Sequence, residues 1–310
     1  MKKKNRAFGY DRNTQLQLHA MLLPGTLLII VFSIIPLFGI LVAFKDYRPS
    51  MGWLGIFTAP FDNFRSFRQV FRSSQFWPML SNTLGINLIG QAVTIPLTIL
   101  FALFVNEVRS RKFKSVVQTA TYMPHFLSWA VYGGLVVTML SPDGGLLNVL
   151  LQAFGLIDEP VSFMAKTEYF WAIAIISGLL KELGWGTIIY LAAIAGVDPD
   201  LYEAAAIDGA TRIHRMFHIT LPSILPTVMI MVIFAVAGML NNNFTQIYVL
   251  QNSLNRDASQ VIDTYVYQVG MQQFQFGVAT AANLMKSVFA LLLLGMANFV
   301  SKKLTDTGLF

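Results

Sequence analysis

The chain has 310 residues, of which 55% are hydrophobic and only 12% charged. A typical soluble domain carries about 25% charged residues, so a water-soluble globule does not fit this composition, nor does a disordered chain, which needs low hydrophobicity; a bilayer does. There is no cysteine, which excludes disulfides, thiolate nucleophiles and cysteine-ligated metals, and the net charge of +6 reads as basic cytoplasmic loops rather than as a nucleic-acid surface.

A spanning helix needs about 20 apolar residues, and the pattern predicts six of them. The first covers 21–44 and follows Lys2, Lys3, Lys4 and Arg6. It is too long for a signal-peptide core and lacks a small-residue cleavage site, so it reads as a retained span. The segment 45–78 is the longest stretch outside the membrane. In it Phe61, Phe64, Phe67, Val70 and Phe71 recur at helical spacing between Arg65, Arg68 and Arg72. That is an amphipathic helix at the outer interface, serving either as an anchor or as a platform for something docking from outside.

The second span is predicted over 81–105 and the third over 116–140. His125, directly after Pro124, reads as a histidine at a helix kink. The fourth covers 170–195 and carries Lys181 and Glu182 near its middle, with Trp185 four residues after the lysine. A charge at that depth costs about 2.5–3.5 kcal/mol on insertion scales, so it belongs in a bundle interior or a wet cavity. An interhelix pair and a sugar platform both satisfy that requirement. The fifth span, 222–241, closes on Asn241, Asn242 and Asn243, which line a cavity mouth or cap the helix. The sixth covers 278–300, with Asn283 one turn before Lys286. That lysine faces a pathway or snorkels to the outer interface.

With both termini inside, thirteen Lys and Arg fall in cytoplasmic segments and seven in outer loops. This predicts cytoplasmic termini. Five of the seven outer ones lie in the 45–78 loop, which is the weakest part of the bias.

The loop between spans four and five is unlike the rest. Asp198-Pro199 starts a helix, with a capping carboxylate and then a proline at the first helical position. Leu201, Ala204, Ala205 and Asp208 share one face, and Gly209 ends the helix. A second short helix is predicted from Thr211, with Ile213, Phe217 and Met216 on its apolar side, and Pro222 begins the next span.

Glu203-Ala204-Ala205, then three residues, Gly209, then nine, Ile219, one more, and Leu221-Pro222 resembles the loop of importer permeases of the ATP-binding-cassette class. The likeness covers roughly 81–300. It implies an all-α membrane protein with six transmembrane helices and the architecture of a type I importer permease. It also implies that this loop, Asp208 included, is the coupling helix that sits in a cleft of an ATPase subunit. Asn63-Phe64, Phe76-Trp77 and Asn82-Thr83 resemble the carbohydrate-uptake branch, similar to maltose- and glycerol-phosphate-type permeases. The stretch from Lys181 to Ala193 resembles permeases for complex oligosaccharides.

The resemblance implies a multi-pass permease subunit in a bacterial inner membrane, forming half of a pathway for sugars or oligosaccharides; Lys181 and Lys286, the only Lys or Arg residues inside the expected spans, would make that pathway attractive to acidic sugars if both faced it. Its implied partners are a second permease subunit, identical or homologous, two ATPase subunits and an extracytoplasmic solute-binding protein. No cofactor and no metal is expected: His214 and His218 are spaced as in a zinc helix, but Arg215 stands where that motif needs glutamate. No Walker loop and no nucleophile elbow is present, so ATP hydrolysis is expected on a partner. The domains expected are 1–80 (an N-terminal segment, the first span and the outer loop), 81–300 (the importer transmembrane domain) and a cytoplasmic tail, 301–310. The competing classes are an ion-coupled secondary transporter, which would show inverted repeats, and an intramembrane enzyme using His125 or Glu182 as a base. The candidate pathway residues are Lys181, Glu182, Trp185, Asn241, Asn242, Asn243, Asn283 and Lys286.

Overall fold

The computed structural model describes residues 12–305. Lys2, Lys3, Lys4, Arg6 and the end of the expected tail lie outside the described residues, as do the side chains of Lys302 and Lys303. The regular structure described is helical, with one isolated antiparallel bridge between Lys45 and Phe61. Among the described residues, five helices are long and apolar enough to cross a membrane: Asn13–Phe44, Phe76–Glu107, Thr167–Ala195, Arg212–Ala237 and Phe276–Met296. At about 1.5 Å per residue the shortest of them reaches roughly 31 Å, about the thickness of the hydrocarbon layer.

The third predicted span is not one helix. It is a 16-residue helix, Arg111–Phe126, followed by an 11-residue one, Trp129–Met139. Leu127 and Ser128 between them are extended, and the Ser128 hydroxyl accepts the Val131 N–H. The local sequence accounts for the break. Pro124 ends the ladder of the first helix, and Ser128 is a good N-cap for the second.

Proline has a different outcome elsewhere. The expected stop before Pro222 is absent: Arg212–Arg215, a wide turn over Met216–Thr220 and Leu221–Ala237 form one 26-residue helix. The first span has the same device, a wide turn at Ile30–Ile34 ending two residues before Pro36. A π-turn opens the ladder by one residue and moves the obstructing carbonyl away from the proline ring, so the helix passes through. The fifth span also ends earlier than expected, at Ala237, and Asn243 caps the next helix, Phe244–Leu250, by accepting the Gln246 N–H.

The chain forms two compact units. One takes the chain through Phe71 together with Val269–Leu284; the other takes Arg72–Gln268 and the chain from Met285 on. In the first unit the amphipathic segment is an eight-residue helix, Arg65–Arg72, with Ser66 and Val70 buried. Asp62 holds its start by accepting the Ser66 N–H and hydroxyl. Phe44, Phe61, Phe64 and Phe67 cluster beside it, with neighbouring ring centroids 5.1–5.9 Å apart.

In the second unit the fourth span is the hub. Its buried residues, Phe170, Ala174, Ser177, Lys181, Gly184, Thr187, Tyr190 and Ile194, recur every three to four positions. At one end Phe170 and Ala174 pack with Ile86, Ile247, Leu250 and Val261. At the other, Tyr190 and Ile194 pack with Ala102, Leu103, Met216 and Ile224. Fully burying a side chain of this size stabilises by about 1.5–3 kcal/mol. The polar middle, Ser177 to Gly184, lies between these two apolar clusters.

Candidate functional site

Two places carry the predicted functional residues: the polar middle of span four, and the loop between spans four and five.

At the first, span four meets the break in span three. Gly184 allows the approach, because a Cβ there would sit 2.3 Å from the Thr121 carbonyl oxygen. Lys181 lies in the buried register of span four and is only 3% exposed. Its Nζ donates to the Pro124 carbonyl at 3.0 Å and to the His125 carbonyl at 2.7 Å. It also lies 5.5 and 5.9 Å from the ring centroids of Trp129 and Tyr132. These contacts serve a cation well: the C-terminal end of a helix carries partial negative charge, and aromatic faces attract cations.

Glu182, one residue on, turns to a neighbouring face and is half-exposed. Its Oε1 lies 3.7 Å from Lys181 Nζ, and its Oε2 lies 2.6 Å from His125 Nδ1. The His125 ring stacks on Trp185, with centroids 4.3 Å apart and planes within 1°. Phe126 meets Trp185 edge-on at 5.8 Å and is 73% exposed. Tyr132 donates its hydroxyl proton to the Ser177 carbonyl at 3.1 Å.

The sequence put Trp185 on the same face as Lys181. The structure separates them, because the buried stripe advances about 3.5 residues per turn and leaves Trp185 at its edge, 45% exposed. His125, read as a kink residue, belongs to this group, as do Phe126, Trp129 and Tyr132, which the sequence reading did not select. The available signal was the Pro124–Ser128 spacing, which marks a break in the helix.

The remaining candidates are elsewhere. Lys286 Nζ pairs with Asp263 Oδ1 at 2.5 Å and neither faces nor snorkels to water, its side chain being 10% exposed. Asn241 and Asn243 are exposed, while Asn242 has a buried side-chain oxygen without a hydrogen bond. Asn283 is exposed on the last helix.

The loop is built as its sequence demands. Pro199–Ile207 is a helix whose cap, Asp198, accepts the Asp200 N–H at 3.0 Å. Gly209 takes φ +75°. The Ala210 N–H donates to the Ala205 carbonyl at 2.9 Å and the Gly209 N–H to the Ala206 carbonyl at 3.2 Å, which is a Schellman stop. Thr211 caps the following helix through the His214 N–H. Met216 is 3% exposed in the cluster around Tyr190 and Ile194 and anchors the corner. The hydroxyls of Tyr202 and Thr220 bond at 2.9 Å. Glu203, Ala204 and Asp208 are exposed, Ala205, Ile219 and Leu221 partly so. Ile207 is 87% and Ile213 66% exposed. The corner is therefore a closely hydrogen-bonded turn with two bare apolar tips.

Residues 94–306 match the family model described as "Binding-protein-dependent transport system inner membrane component". The chain is 40% identical to the polygalacturonan/rhamnogalacturonan transport system permease protein YteP of Bacillus subtilis (strain 168), over 96% of this chain and 91% of that protein. It is 38% identical to Protein LplB of the same organism, over 94% and 91%. It superposes with a TM-score of 0.86 on a chain of a bacterial ABC transporter involved in the import of the acidic polysaccharide alginate, at 36% identity, covering 94% of this chain and 97% of that one. A second crystal structure of a bacterial alginate ABC transporter, in complex with an alginate pentasaccharide-bound periplasmic protein, gives the same TM-score at 37% identity, covering 96% and 98%. The helices, the loop and these likenesses agree: this chain belongs to the family of binding-protein-dependent transport system inner membrane components, as a multi-pass permease subunit and not an enzyme.

Proposed function

We propose that the chain forms half of a pathway for uronate-containing oligosaccharides and that its 198–222 loop couples the pathway to a cytoplasmic ATPase. A solute-loaded receptor outside, a second permease subunit and two ATPase subunits complete the machine, with both termini of this chain in the cytoplasm.

The observation that carries the reading is the ledge of Trp185, His125 and Phe126 where the break in span three meets the middle of span four, between two apolar clusters. Aromatic surface with a few convergent polar groups is the usual lining of a small-molecule site. The Glu182 carboxylate is paired with Lys181 at 3.7 Å and with His125 at 2.6 Å, so the ledge sets no unpaired negative charge against an anionic sugar. The relatives named for acidic polysaccharides support the same solute class.

Coupling is supported by the Schellman corner and by Ile207 and Ile213, which stand exposed on a helix pair anchored by Met216. A helix laid into a partner's groove is a common recognition mode.

The test is ATP hydrolysis by the reconstituted importer. Receptor loaded with uronate oligosaccharide is expected to stimulate hydrolysis at least fivefold more than receptor offered neutral oligosaccharide of equal length. Equal stimulation would remove the acidic-solute reading.

A further inference from the structure

A broken helix in an apolar segment leaves carbonyl groups that its own ladder no longer serves. Where span three breaks, the His125 carbonyl, and the Pro124 carbonyl that also accepts the Leu127 N–H at 3.2 Å, receive hydrogen bonds from a side chain of another helix, Lys181, at 2.7 and 3.0 Å. The same ammonium lies 5.5 and 5.9 Å from the ring centroids of Trp129 and Tyr132, which belong to the second half of the span. One cation thus touches both sides of the break. Tyr132 adds a second tie, from that second half back to the Ser177 carbonyl of span four.

His125 is the residue whose carbonyl Lys181 holds and whose ring stacks on Trp185 and bonds Glu182. Fixing the break therefore fixes the ledge. A lysine that is 3% exposed and already serves two carbonyls and a carboxylate is not a charge offered to a passing solute.

We propose that Lys181 is the positioning residue of the translocation path: it staples the two halves of span three and so sets the His125–Trp185–Glu182 ledge. This rests on reading that ledge as a wall of the path.

The experiment measures uptake by the complete importer in proteoliposomes while the concentration of loaded receptor is varied, for wild type, Lys181→Met and Lys181→Arg. The methionine variant keeps the bulk and loses the donors; arginine keeps charge and donors. The methionine variant is expected to lose at least tenfold in maximal rate, with half-saturation within twofold of wild type. The arginine variant is expected within threefold of the wild-type maximal rate.

A methionine variant with an unchanged maximal rate overturns the proposal. So does one whose half-saturation rises while its maximal rate holds, which places the loss in binding of the loaded receptor and not in the path. An arginine variant that assembles but is as slow as the methionine one also overturns it. Should the methionine variant not accumulate, arginine alone decides: rates within threefold of wild type support the staple, and an assembled, inactive arginine variant refutes it. Acidic against neutral solute is compared on wild type in the same vesicles. Loss of that preference refutes the solute class and leaves the comparison of Lys181 variants intact.

Discussion

Lys286 and Asp263 form an ion pair at 2.5 Å, with side chains 10% and 20% exposed. The pair joins the short helix Ile262–Tyr267 to the last span, and it gives a charge inside an apolar helix the partner it needs. Removing one member of such a pair strands the other, at a cost of about 3–5 kcal/mol, whereas removing both is far milder. Lys286→Met and Asp263→Asn should each lower the thermal stability of the purified protein markedly. The double variant should lose clearly less than the sum of the two. Additive losses would show that the pair is not coupled.

The corner proposed to couple to the ATPase depends on one backbone conformation. Gly209 sits at φ +75° with open space around the position of a Cβ, so a substitution there meets strain rather than a clash. Valine should cost about 1–3 kcal/mol locally and reshape the corner, abolishing uptake while the protein stays in the membrane. Asparagine, which adopts this conformation more readily, should retain a good part of the rate. Glu203→Lys, on the exposed face, should also abolish uptake by upsetting the docking surface. The assay is solute uptake alongside co-purification of the ATPase. Wild-type uptake in both Gly209→Val and Glu203→Lys would end the coupling proposal.

Close packing of spans three and four should be equally sensitive. A Cβ at Gly184 would lie 2.3 and 2.5 Å from the Thr121 carbonyl oxygen and carbon, whereas nothing lies within 4 Å of one at Gly134. Gly184→Ala should therefore destabilise by about 1–3 kcal/mol, as overpacking does. Gly134→Ala should be nearly silent. Thermal denaturation in detergent separates them, and a silent Gly184→Ala would contradict the observed approach.

The orientation of the chain can be read by labelling, since no native cysteine gives background. A cysteine at Ser253 or Ser141 should react with an impermeant thiol reagent added to intact cells. One at Ser110 or Thr211, both of which cap helices, should react only after the membrane is opened. The reverse pattern would put the 198–222 loop on the wrong side for an ATPase.

Much of the architecture was legible along the chain. Five apolar runs became span helices with ends shifted by several residues, because apolar length is a local property that the bilayer reads directly. The corner of the 198–222 loop was legible in detail: Asp198, Pro199, Gly209 and Thr211 act through backbone geometry within a few residues, and each holds its expected local position. The prolines were only half legible. Pro124 and Pro222 look alike in sequence, yet one stands at a break and the other at a wide turn inside a continuous helix. Ser128, ready to cap a new helix, distinguishes the first.

The sequence alone determined that this is a multi-pass helical protein with one exposed, sharply capped loop, because composition, hydrophobic length and capping are properties of short segments. Tertiary structure decided where the charges went. Lys181 and Glu182 are neighbours in sequence, but one is buried against the carbonyls of Pro124 and His125 while the other bridges to the His125 ring; Lys286 found Asp263, 23 residues away. A buried charge takes whichever partner the packing brings within about 3 Å, and that partner is set by helix register and by the Gly184–Thr121 approach, not by anything adjacent in the chain.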